Sequence, residues 1–186
     1  MTASPSPSLR QLRDDPYRLL AELDRRLRAM RAEAAGGRGE IWQGLAFRQG
    51  ERWMVTPKDD VREVIPPPRF TRVPNSKPWL AGVANVRGSL LTLVDLGLLG
   101  GGDGSASGRT ARVLVLNSDQ MQAGFLVDEV AGYRQFTVAE QAAPELPPGD
   151  AMAPYVLGGF SREGRAWQVL SLHKLAQSET LRRAGW

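Results

Sequence analysis

The chain has 186 residues, 42% apolar and 24% charged, a composition that fits one ordinary globular domain or two very small ones and excludes a disordered chain. It has no cysteine and one histidine, His173, which excludes a disulfide framework, a thiolate nucleophile, Cys-ligated metal and a multi-histidine centre. Of the formal charge of +4, residues 1–38 carry eight arginines against five acids, whereas residues 39–186 carry sixteen basic and fifteen acidic residues, so the main body lacks the clustered positive charge that phosphate binding needs.

Met1 to Ser8 is rich in serine and proline and lacks the basic start and apolar core of a secretory signal. With no run of 18 apolar residues for a membrane span, the expected location is the cytoplasm. Asp15 and Pro16 suit the cap and first position of a helix over Tyr17 to Ala34. Leu20, Leu23, Leu27 and Met30 form one apolar stripe on it, and Gly36-Gly37 ends it. That stripe either packs on the rest of the chain or is held for a partner protein.

From Ile41 the periodicity shortens. Strands are expected over Ile41–Phe47, Arg52–Val55 and Val61–Ile65, after which Pro66-Pro67-Pro68 must leave any sheet ladder. Gly82–Val86 and Leu90–Val94 flank a tight Arg87-Gly88 turn. Residues 100–108, with five glycines in nine positions, read as a flexible connection. A second series follows over Ala111–Leu116, Gln122–Val127, Val130–Phe136, Tyr155–Phe160 and Ala166–Leu170, the last two joined by a Ser161–Gly164 turn. Ser171 to Ala184 reads as a closing helix. Many short strands without βαβ alternation predict small barrels and argue against a parallel nucleotide-binding sheet.

No reaction assembles from these residues. The glycine run lacks a Gly-Lys-Ser/Thr ending, and a strand follows it where a phosphate loop needs a helix N-terminus. Asp95 at the end of its strand is expected to organise the following turn. The neighbours Asp59-Asp60 and Asp128-Glu129 would diverge to opposite faces of a strand. His173 reads as a solvated helix-end residue with no orienting acid. Neither a catalytic residue, a metal site nor a cofactor is expected.

The stretch from Arg72 to Leu96 is the most informative. It runs Pro78-Trp79, then Gly82-Val83-Ala84-Asn85-Val86-Arg87-Gly88, an apolar strand and Val94-Asp95-Leu96. This pattern resembles the signature of the CheW family of chemotaxis coupling proteins. The likeness extends upstream to Val61–Ile65, downstream to Gly124–Val130 and Tyr155–Gly159, and over roughly residues 40–178 in all. It departs from the family at Thr92, where proline is common, and in its longer glycine segment. With its N-terminal extension, Trp42 and Phe47, the chain looks like the PilI branch, which serves type IV pili and twitching motility.

The resemblance implies a mainly β fold of two five-stranded, SH3-like barrels on a shared core. Residues 1–38 would be a helical extension and 39–180 the CheW-like domain, its barrels joined by residues 100–108. It also implies a non-catalytic adaptor between the cytoplasmic tip of a methyl-accepting chemoreceptor and the regulatory domain of a CheA-type histidine kinase, recruited to membrane-bound receptor arrays. Glu63 and Arg87 match residues expected to pair across the first barrel. Val64, Val86, Leu93, Phe125, Val127 and Val130 map near the receptor groove, although strand alternation turns some of them inward. Trp79 would be an interface anchor or a cap on the barrel end, Gly82 and Gly88 would serve tight backbone geometry, and Asn85 is a further signature and interface candidate. Against this stands a small-barrel nucleic-acid binder using the basic N-terminal helix. The strands carry few aromatic residues alternating with basic ones, which counts against it.

Overall fold

The computed structural model describes residues 41–104 and 108–182. The helix expected over residues 17–34, and with it the extension 1–38, lies outside the described residues. In chain order the strands are β1 (Ile41–Gln49), β2 (Arg52–Pro57), β3 (Val61–Ile65), β4 (Leu80–Val86), β5 (Ser89–Asp95), β6 (Arg112–Leu116), β7 (Ala123–Val127), β8 (Glu129–Thr137), β9 (Gln141–Ala142), β10 (Val156–Arg162) and β11 (Arg165–Leu170). Short helices α1 (Leu96–Leu99), α2 (Leu172–Ala176) and α3 (Glu179–Arg182) follow β5 and β11. One sheet has six strands in the order β8-β1-β2-β11-β10-β9, and the other has five in the order β3-β6-β7-β5-β4.

Side-chain alternation divides the apolar residues into three clusters. Ala46, Val55, Phe136, Phe160, Trp167 and Val169 fill the interior of the six-stranded sheet. Ala84, Leu91, Leu93, Val113, Val115 and Leu126 fill the interior of the five-stranded one. Between them lies a larger shared core that includes Phe47, Met54, Leu114, Phe125, Val127 and Leu170. Along β6, Val113 and Val115 enter their own sheet's interior while Leu114 and Leu116 enter the shared core. β7 is buried at every position because it is central in its sheet and covered on both faces.

The sheets do not divide where the sequence suggested. β1 and β2 join the C-terminal strands, with β2 and β11 parallel, so the six-stranded sheet is built from both ends of the described chain. The glycine-rich segment does not link the two barrels. Both its flanking strands, β5 and β6, belong to the five-stranded sheet, where β7 lies between them. The chain crosses two interstrand steps there, about 10 Å, between the end of β5 and the start of β6. β9, a two-residue edge strand, gave no sequence signal and raises one sheet to six strands.

The closing helix is two short helices. Ser171 caps α2 by accepting from the Lys174 N–H at 3.2 Å, and Ser178 begins α3 by accepting from the Leu181 N–H at 3.3 Å. A side chain that caps competes with helix continuation, which explains the break. The last hairpin turns tightly at Glu163-Gly164, with φ of 54° and 74°. Asp95 caps α1 as expected, its carboxylate accepting from the Leu98 N–H at 3.0 Å.

Candidate interaction surface

The hairpin β4–β5 turns at Arg87 and Gly88, whose φ values of 53° and 85° make the left-handed turn that suits twisted strands. Asn85 Oδ1 accepts from the Gly88 N–H at 2.9 Å and fixes the turn. Glycine takes this conformation freely, whereas Arg87 gives up about 1–2 kcal/mol relative to a glycine there. The guanidinium is thereby aimed back across the sheet. Arg87 Nη2 lies 2.9 Å from Glu63 Oε2, and Nη1 donates to Oε1 at 3.2 Å. Glu63 is on β3 and Arg87 directly follows β4, the two opposite edges of the five-stranded sheet, so the pair marks where that sheet curls on itself.

The Arg87 side chain is 76% exposed and that of Glu63 26% exposed. The pair borders a small cavity of about 210 Å³ with Arg62, Val86 and Gln122. Leu90 stands 66% exposed just beyond the turn. Sequence reasoning missed Leu90 although the signal was available: Leu91 and Leu93 point inward, so alternation sends Leu90 out.

The remaining candidates separate by burial. Val64 is 37% exposed, and its cross-strand partner Leu114 belongs to the shared core, so Val64 lies at that core's rim. Val130 is half-buried against the same core, and Val86 packs against the interior of the five-stranded sheet. Leu93, Phe125 and Val127 are buried. As groove-facing residues they are corrected: Leu93 fills its own barrel and the other two fill the shared core, where nothing outside the fold can touch them. Trp79 is half-buried against that core, its carbonyl accepting from the Asp95 N–H at 2.8 Å. Gly82 serves a close approach, since an ideal Cβ there would sit 2.3 Å from the Thr71 carbonyl oxygen. That carbonyl accepts from the Val83 N–H, and the Thr71 N–H donates to the Val83 carbonyl, both at 2.8 Å. The segment between β3 and β4 is thus strapped to the outer edge of β4 at Thr71.

Several acidic residues act as ties. Asp60 is buried in a 3-10 turn over Lys58–Asp60 and accepts from the Ser171 hydroxyl at 3.3 Å and the His173 N–H at 3.2 Å. Asp128 and Glu129 do not diverge as expected: the chain turns between β7 and β8, and both reach Arg48, at 3.8 Å and 3.2 Å. Glu140 receives Arg162 Nε at 2.5 Å and Nη2 at 2.9 Å. The Arg162 hydrogen bond, helped by the Thr137 N–H, holds the Glu140 carboxyl down at about 2 and raises the guanidinium in turn. Among the described residues, no group of three or more His, Asp or Glu side chains could hold a metal ion, and no helix is long and apolar enough to cross a membrane.

Residues 43–180 match the CheW-like domain. The chain belongs to the CheW-like family. It is similar to Protein PilI of Pseudomonas aeruginosa, with 40% identity over 167 residues, 88% of this chain and 93% of PilI. It is also similar to Protein FrzA of Myxococcus xanthus, with 33% identity over 80% of this chain and 92% of FrzA. The likeness to PilI supports the PilI branch of the CheW family. A solved structure, that of the scaffolding protein TtCheW from Thermoanaerobacter tengcongensis, shares the fold with a TM-score of 0.65 and 20% identity, covering 75% of this chain and 95% of that one. Within the family, the chain is a scaffold or coupling protein of the chemotaxis type.

Proposed function

We propose that this CheW-like chain is a non-catalytic adaptor that couples a methyl-accepting chemoreceptor to a CheA-type histidine kinase in the cytoplasm, controlling type IV pili and twitching motility. The likeness to PilI, which spans nearly the whole of both chains, carries the reading. Receptor state would pass through contact alone, so the adaptor needs a rigid scaffold and exposed faces, and it needs no nucleophile or general base. Three interlocking apolar clusters supply the rigidity. Glu63, Asn85, Val86, Arg87, Gly88 and Leu90 would supply one surface around the β4–β5 turn of the five-stranded barrel, and Val64 and Val130 would supply another at the rim of the shared core. An apolar patch ringed by polar groups is the common anatomy of a transient protein interface.

The test is capture by two baits, a receptor's cytoplasmic signalling tip and the regulatory domain of a CheA-type kinase. Retention by both supports the proposal. Retention by neither, together with DNA binding that falls steeply with salt, would replace it with the nucleic-acid reading.

A further inference from the structure

Away from the Glu63–Arg87 pair, the strapped segment after β3 walls a second and larger cavity of about 610 Å³. Its lining shares no residue with the cavity at that pair. Leu80 and Leu126, both buried, border it with Phe70 and Leu98, which are 41% and 37% exposed. Arg72 and Lys77 also line it; both are exposed, and no carboxylate pairs with either among the described residues. The one acid in the lining, Asp95, is buried and caps the Leu98 N–H, and against the two cations it leaves the net charge of the lining positive.

The wall is held in shape before any ligand arrives. Thr71 is bonded twice to Val83, the Ser76 hydroxyl donates to the Val73 carbonyl at 2.7 Å, and the Leu80 N–H donates to the Lys77 carbonyl at 2.9 Å. A preformed apolar hollow beside two exposed cations has a definite complement. An apolar side chain would bury against Phe70 and Leu98, and carboxylates beside it would face Arg72 and Lys77. A purely apolar segment would leave the cations unmatched, and a free anion would leave the hollow unfilled.

We infer that this cavity docks an acidic segment of a partner protein, anchored by one bulky apolar side chain. The site is independent of the coupling reading above, and either can fail alone. The probe is a short fluorescein-labelled peptide of aspartates and glutamates around a central phenylalanine, titrated with the full chain and followed by anisotropy. Saturable binding is expected, weakening about tenfold in the Arg72→Glu, Lys77→Glu double variant, since two exposed charge contacts are reversed. Phe70→Ser should weaken the same probe, and replacing the probe's phenylalanine by serine should abolish binding. Melting curves confirm that the variants fold; both cation substitutions lie on exposed side chains. The inference is overturned if the acidic probe does not bind, if the double variant binds it equally, or if inorganic phosphate displaces it as well as the unlabelled peptide does.

Discussion

Reversing Arg87 separates the two roles that the Glu63–Arg87 pair can have. The pair is well formed, with contacts of 2.9 Å and 3.2 Å, but the arginine side chain is 76% exposed. An ion pair in that setting contributes about 0.5–1 kcal/mol, whereas a buried one stranded by mutation would cost about 3–5 kcal/mol. Arg87→Glu removes the attraction and adds a repulsion of similar size, so it should cost about 1–2 kcal/mol. For a domain of this size that lowers the melting temperature by about 2–8 °C. Adding Glu63→Arg restores the attraction with opposite polarity and should recover about half the loss or more. Arg87→Gly gives a control, because loss of the pair is offset by relief of the left-handed backbone, leaving stability nearly unchanged. The cycle is measured by urea denaturation alongside receptor-dependent control of kinase autophosphorylation. Arg87→Glu should impair that control much more than its stability loss explains. A destabilisation of 3 kcal/mol or more would refute the exposed reading, and full kinase control by the single variant would remove the pair from the interface.

Phe125→Ala, at the centre of the shared core, should cost about 3–5 kcal/mol by chemical denaturation, enough to unfold much of the population at growth temperature. Val64→Ser at that core's exposed rim should cost well under 1 kcal/mol yet reduce partner capture. Glu140 has a folded value lowered to about 2 against an ordinary 4.5, so its stabilisation is present above about 4.5 and is lost as pH falls through about 2. An acid melting series should show that loss, and Glu140→Gln should flatten it. Gly82→Ala drives a methyl group into the Thr71 carbonyl and should release the strap, read as faster amide exchange at Thr71 and Val83.

Much of the barrel architecture was legible because it is written in short-range chemistry. Val61–Ile65 ends where three prolines remove the ladder donors, and its limits coincide with the observed strand. The Arg87-Gly88 turn and the Asp95 cap were equally local. What was hidden was non-local. Nothing in β1 or β2 announces that they pair with β8 and β11, some 80 to 120 residues away, so the sequence offers the glycine segment as a link between barrels, whereas its flanking strands lie in one sheet. β7 shows the same limit at the candidate site. A strand buried on both faces has no alternation to say which side is which, so the sequence leaves Phe125 and Val127 open between groove and core, and the structure puts both in the core. Leu90, by contrast, lay in plain view once its neighbours were known to point inward.

The adaptor account turns on whether the chain holds two partners at once. A reconstituted mixture of receptor signalling tip, CheA-type kinase and this chain, resolved by sedimentation velocity with autophosphorylation measured in parallel, tests that directly. The account predicts a three-component species and receptor-controlled phosphorylation that both vanish when the chain is left out. Receptor control that persists without the chain, or two partners that exclude one another on it, would contradict the account.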